Sequence, residues 1–167
     1  MSECTAWVLS LPGRLHAAVG PFELVHILPT TPTLFEVPGT PAYCRHALVW
    51  QDQILPLMDL GARVRGTPGL ADDTVTLIGL RWLAGIVAYR DPDSGEVRHG
   101  GLQLARVPER SVVTDAQACR LPRGLRGWRP LAISCFEHPH LGAVPILDLA
   151  RVFSAPPQGA YEEKGAT

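Results

Sequence analysis

A short phrase occurs twice in this chain, and it limits what the chain can fold into. Pro56-Leu57-Met58-Asp59-Leu60 leads into Ala62-Arg63-Val64, and Pro145-Ile146-Leu147-Asp148-Leu149 leads into Ala150-Arg151-Val152. Each copy ends an apolar, strand-like run and opens a stretch with helical spacing. A repeat at this separation points to two similar small modules rather than one continuous fold. Asp59 and Asp148 stand where a helix N-cap belongs, because a carboxylate there accepts bonds from the free amides of the first turn. Capping explains both aspartates at once, so they are read as structural caps rather than as a catalytic pair.

Composition narrows the class. The 167 residues are 46% hydrophobic and 19% charged, the balance of a folded chain with room for two small cores. Glycine and proline number 16 each, a density that breaks long helices and favours short strands joined by turns. Fifteen basic against sixteen acidic residues leave a net charge of −1, so no broad basic field draws nucleic acid. The amino terminus lacks a signal-like apolar run and no stretch is long enough to span a bilayer, so no membrane insertion and a cytoplasmic location are expected. Four scattered cysteines, Cys4, Cys44, Cys119 and Cys135, read as free thiols in such a compartment.

The pattern predicts strands over 6–11 and 14–19 around a Pro12-Gly13 turn, then a short helix or strand over 22–28. Residues 29–41 are proline-rich and read as an extended loop. Strands follow over 43–50 and 54–58 around Gln51-Asp52-Gln53, then a connector near 66–73. Further strands are expected over 74–80, 82–89 and 97–107, the last interrupted at Gly100-Gly101. Residues 108–130 read as irregular and basic, and 131–136 with 143–147 as a second hairpin. Residues 155–167 read as a flexible tail. The expected class is mainly β, two small antiparallel barrels with a few short helices.

No chemistry-bearing constellation is complete. Cys44 with His46, and Cys135 with His138 and His140, are metal-ligand types without the paired spacing of a zinc site. Cys135, His138 and Asp148 supply the residue types of a nucleophile system but no local signature of one. The glycines form no phosphate-cradling loop. Arg120, Arg123, Arg126 and Arg129 read as a solvated loop. Neither an enzyme nor a cofactor is expected; a small metal- or thiol-dependent enzyme is the remote alternative. Trp7, Trp82 and Trp128 read as packing residues, and Trp50, beside its turn, as an exposed partner anchor.

The order of these features resembles the CheW-like domain of bacterial chemotaxis coupling proteins. The resemblance rests on Thr40-Pro41-Ala42-Tyr43, Ile54-Leu55-Pro56-Leu57-Met58-Asp59-Leu60, Leu83-Ala84-Gly85-Ile86-Val87 and Val144-Pro145-Ile146-Leu147-Asp148-Leu149, spread over residues 5–154. It implies two packed five-stranded SH3-like barrels and no catalytic residues. It implies a non-catalytic adaptor that couples a chemoreceptor-like helical tip to the regulatory domain of a CheA-like histidine kinase, in chemotaxis or pilus-type motility. It places the receptor groove at Leu24, His26, Ile27, Ile86 and Val87, with Trp50 and Gln51 nearby. The chain departs from the family pattern at five points, one of them an insertion over Asp91 to Gly101 where the family strand usually continues. Val49-Trp50-Gln51-Asp52 replaces an Asn-Leu-Arg-Gly turn, His26 a glutamate, His46 a glycine and Tyr89 an aspartate. The paired loss of the glutamate and the arginine leaves no orphaned charge. It raises the alternative of a divergent regulator that binds another cytoplasmic signalling protein instead.

Overall fold

The computed structural model describes residues 2–28, 33–65, 82–124 and 126–154. The expected connector near 66–73, the expected strand over 74–80 and the tail 155–167 lie outside them. In chain order the strands are β1 (Glu3–Leu11), β2 (Leu15–Val19), β3 (Leu24–Leu28), β4 (Leu34–Glu36), β5 (His46–Trp50), β6 (Gln53–Met58), β7 (Leu83–Arg90), β8 (Val97–Leu104), β9 (Glu109–Thr114), β10 (Ala132–His138) and β11 (Gly142–Leu147). Two short helices, α1 (Leu60–Arg65) and α2 (Leu149–Val152), follow β6 and β11.

The strands form two sheets, ordered β9-β1-β2-β11-β10 and β3-β7-β8-β6-β5-β4. Read in these directions they share one plan. Each has a central hairpin, β1–β2 or β7–β8. Each hairpin pairs in parallel with the second strand of another hairpin, β2 with β11 at Ala18 and Ile146, and β8 with β6 at Gly101 and Leu57. Each is flanked by a single strand, β9 or β3. Among the described strands, β4 alone has no counterpart.

The two copies of the repeat therefore interleave. The first half of the chain gives β1–β2 to one barrel and β3 to β6 to the other. The second half gives β7–β8 to the second barrel and β9 to β11 to the first. The chain halves are equivalent, as the repeat implies, but neither half is a module. A repeated phrase reports equivalent positions and carries no information on which strands pair.

Alternation along the strands sorts the apolar residues into three cores. Ala6, Val8, Ala18, Val113, Phe136 and Val144 fill the first barrel. Leu48, Leu55, Leu57, Trp82, Ala84 and Ile86 fill the second. Between the barrels lies the largest cluster, which includes Leu9, Leu11, Met58, Leu102, Trp128 and Leu147. Successive residues of one strand serve different cores, Val8 the first barrel and Leu9 the shared layer.

Several local expectations change. Of residues 22–28, Phe22 and Glu23 are turn and Leu24–Leu28 are strand, with a bulge between Leu24 and His26. The proline-rich loop contains β4, which pairs with β5. Strand β8 runs unbroken through Gly100 and Gly101, where the missing side chains admit neighbours. A Cβ at Gly101 would sit 3.0 Å from Leu48 and 3.3 Å from the Pro56 carbonyl oxygen. Residues 108–130 are not irregular throughout, since they supply β9 and an isolated bridge between Ala118 and Phe136.

Asp59 and Asp148 hold equivalent places. Asp59 Oδ1 accepts from Ala62 N at 3.1 Å, and Asp148 Oδ1 from Arg151 N at 3.3 Å. Their own amides donate to Tyr43 and Leu131, the residues ahead of β5 and β10. The two helices meet where Arg63 donates to the Val152 carbonyl. Replacing either aspartate by alanine is expected to cost about 0.5–2 kcal/mol. Denaturant unfolding of each variant measures it, and an unmoved midpoint removes the cap account.

Candidate interaction surface

The residues expected at a partner groove fall into two groups. Leu24 and Ile27 are half-buried on β3 and pack against the shared core, and His26 beside them is exposed. Ile86 and Val87 are fully buried, Ile86 inside the second barrel and Val87 in the shared layer. They offer no side chain to a partner. The reason is positional. One face of β7 lines the second-barrel core, where Ile86 sits, and the other faces the shared layer, where Val87 sits, so both faces of its middle are covered.

Trp50 is not an exposed anchor. It shares a strand face with Leu48 and rests half-buried on the core of the second barrel. Its ring lies 6.3 Å from that of His26 and 5.2 Å from that of His99. The indole thus sits between two imidazoles, from β3 and β8. Gln51 is exposed in the adjoining turn. Gln51 and Asp52 take φ of 48° and 61°, the left-handed pair that closes a two-residue hairpin. That turn keeps Trp50 opposite Gln53 and sets the alternation of the whole hairpin.

The other tryptophans pack as expected. Trp82 and Trp128 are buried, and Trp7 donates from Nε1 to the Pro21 carbonyl at 3.3 Å while Arg110 lies over its ring. Arg120, Arg123 and Arg129 are exposed; the side chain of Arg126 lies outside the description.

Sequence reading missed an open apolar surface. On the outer face of β4–β5–β6, Phe35 is 49% exposed, Val49 47% and Ile54 75%. Val49 and Ile54 are directly opposed, and Phe35 pairs with Ala47 two residues along the same face. The signal was present in the alternation. Leu48 and Leu55 point inward, so Val49 and Ile54 must point out. Phe35 was hidden by its prolines, which read as loop. On the far edge of the same sheet, Phe22 and Val25 are also exposed; the bulge in β3 turns both Val25 and His26 outward.

The chemical alternatives find no assembled site. Cys135 meets Cys119, whereas His138 contacts the rings of Phe136 and His140, and Asp148 caps α2. Among the described residues no three histidines, cysteines or carboxylates are grouped to hold a metal ion. Burial raises the pKa of Glu23, opposed by the bond its carboxylate accepts from Gly20 N at 2.7 Å. Burial lowers that of His16, with His138 and Arg106 adding to the effect. Both groups lie at element ends and support the fold.

No protein-family model matches the chain, and no curated protein matches it. Among solved structures, the scaffolding protein TtCheW from Thermoanaerobacter tengcongensis is similar, with a TM-score of 0.64 at 15% sequence identity. The likeness covers 92% of this chain and 94% of that one. At that identity it bears on the fold, and it agrees with the duplicated sheet plan described above. The chain has the CheW-like fold, two SH3-like β-barrels packed on a shared hydrophobic layer.

Proposed function

We propose that this chain is a non-catalytic cytoplasmic adaptor of a chemotaxis or pilus-motility type signalling system. The observation that carries the reading is the apolar face of Phe35, Val49 and Ile54 on β4–β5–β6, whose opposite face is barrel core. A rigid sheet face of this kind suits docking against a similar barrel, as in a CheA-like regulatory domain. The half-buried Leu24 and Ile27, with exposed His26 and Gln51 nearby, are the positions assigned to a receptor-like helical tip. No described helix is long and apolar enough to cross a membrane.

Binding to a CheA-like regulatory domain is expected to fall at least about tenfold for Val49→Asp and for Ile54→Asp, since each places a charge in a buried contact. Both positions are open in the free chain, so folding is kept. Isothermal titration with the purified domain reads the change, and equal affinity for native and variant chains would refute the docking face.

A second reading has its own observation. His26 contacts Trp50, and Gln51 carries no charge, so the opposite-charge pair expected of the family is absent. Rim charges set selectivity and encounter rate more than affinity. A divergent regulator serving another cytoplasmic partner would show this pattern. His26→Glu combined with Gln51→Arg separates the two readings. Binding to an ordinary receptor tip that appears only in the double variant favours the divergent regulator; binding by the native chain favours the adaptor.

A further inference from the structure

The first barrel closes along a thin seam, and two cysteines lie across it. Strand β9 ends in a 3-10 turn, Asp115–Gln117, after which the chain crosses to β10. Ala118 bridges Phe136 there, Cys119 N donates to the Cys135 carbonyl at 3.0 Å, and Gln117 Nε2 donates to the Glu137 carbonyl at 3.1 Å. The register set by Ala118 and Phe136 places Cys119 directly opposite Cys135. Their sulfurs are 3.4 Å apart. Opposed residues of an antiparallel pair have Cα atoms about 4.5–5.5 Å apart, within the span a disulfide bridges. Closing the bond shortens the sulfur separation by about 1.4 Å, a side-chain adjustment without a shift of either strand.

Access favours the same pair. Cys119 is half-buried and Cys135 is buried. A cleft of about 170 Å³ opens on the Cys135 side of the pair, lined in part by Cys4, Val113, Ala118, Cys135 and Phe136.

We propose that Cys119 and Cys135 are a modification site, forming a reversible disulfide that staples the seam of the first barrel when the chain meets a hydroperoxide. The more accessible Cys119, as thiolate, attacks the outer peroxide oxygen. The O–O bond breaks, the alcohol leaves with a proton, and Cys119 becomes a sulfenic acid. The sulfur of Cys135 then attacks the Cys119 sulfur. The S–O bond breaks, and hydroxide leaves as water with the Cys135 proton. Two thiols and one hydroperoxide give one disulfide, one alcohol and one water. Burial, with Cys119 adding to it, holds the Cys135 thiol up at about 12. That assigns Cys135 the resolving step and Cys119 the first attack. This site is independent of the docking face on the second barrel.

The test treats the reduced full chain with hydrogen peroxide, blocks remaining thiols, and maps peptides by mass spectrometry without reduction. The expected product is a peptide pair joined through Cys119 and Cys135, lighter by two hydrogen atoms and separated by dithiothreitol. The oxidised chain is expected to unfold about 5–10 °C higher, because the bond closes a short loop. Cys119→Ser abolishes both effects, and Cys4→Ser leaves both intact. Oxidation confined to Cys4 or Cys44, or overoxidation of Cys119 without the joined peptides, overturns the site. Joined peptides with an unmoved midpoint overturn the staple. Both readouts use the native chain and do not depend on a variant folding.

Discussion

Replacing Trp128 by alanine is expected to lower the free energy of unfolding by about 3–5 kcal/mol, more than any other single truncation in the shared layer. Trp128 is 1% exposed and belongs to the cluster between the barrels, with Leu131, Leu147, Leu149 and Val152 from its own chain half. Leu9, Leu11, Met58, Leu60 and Val64 come from the other half. Truncation opens a cavity where the two halves interlock, and neither sheet can close over it without moving the other. A domain of this size has about 5–15 kcal/mol in total, so the variant sits near the edge of folding. Ile133→Ala is the control: Ile133 is 68% exposed, and its loss should stay within about 0.5 kcal/mol. Urea unfolding followed by far-ultraviolet circular dichroism measures both. A Trp128→Ala cost below about 1 kcal/mol would mean that the shared layer does not hold the barrels together.

The position of Trp128 also shows how far the sequence could be read. Its burial was legible, because a tryptophan in a glycine- and proline-rich stretch has few other uses. Its place between barrels was not, since residues 108–130 lack the alternation that marks a strand and Trp128 follows an irregular run. The duplicated plan was legible from the Pro-x-x-Asp-Leu phrase, which fixed two strand–cap–helix units and their equivalence. The exchange of strands between the sheets was not. Pairing depends on contacts far apart in the chain, and Ala18 opposite Ile146 leaves no local trace. The interaction surface divided in the same way. Leu24, His26, Ile27 and Gln51 lie at or near the surface, but Ile86 and Val87 are covered because a core packs on each face of their strand. Trp50 turned inward because the two-residue turn fixed its face. Cys119 and Cys135 are sixteen residues apart in sequence, so their contact needed the bridge at Ala118 to be seen.

The second large effect is expected at Gly127, where only a hydrogen atom fits. Gly127 lies in the 3-10 turn Arg126–Trp128, which packs backbone to backbone on α1. A Cβ built there falls on the Val64 carbonyl oxygen and within 2.6 Å of the Val64 Cα. Both obstacles are main chain, so no rotamer change relieves the clash and the turn must lift off the helix. That displacement would drag Trp128 out of the shared layer, adding lost burial to overpacking. Overpacking alone costs about 1–3 kcal/mol, so Gly127→Ala should reach the upper end of that range or exceed it. Gly124, three residues earlier, has open space where its Cβ would stand, and its φ is not left-handed. Gly124→Ala should therefore be neutral, or stabilising by about 0.4–1 kcal/mol through a less disordered unfolded chain. The pair isolates close approach from backbone entropy, because both substitutions add the same methyl group in the same segment. Equal unfolding midpoints for the two variants would show that α1 and the turn do not press together, and with that the account of Trp128 as the clasp between the chain halves would lose its support.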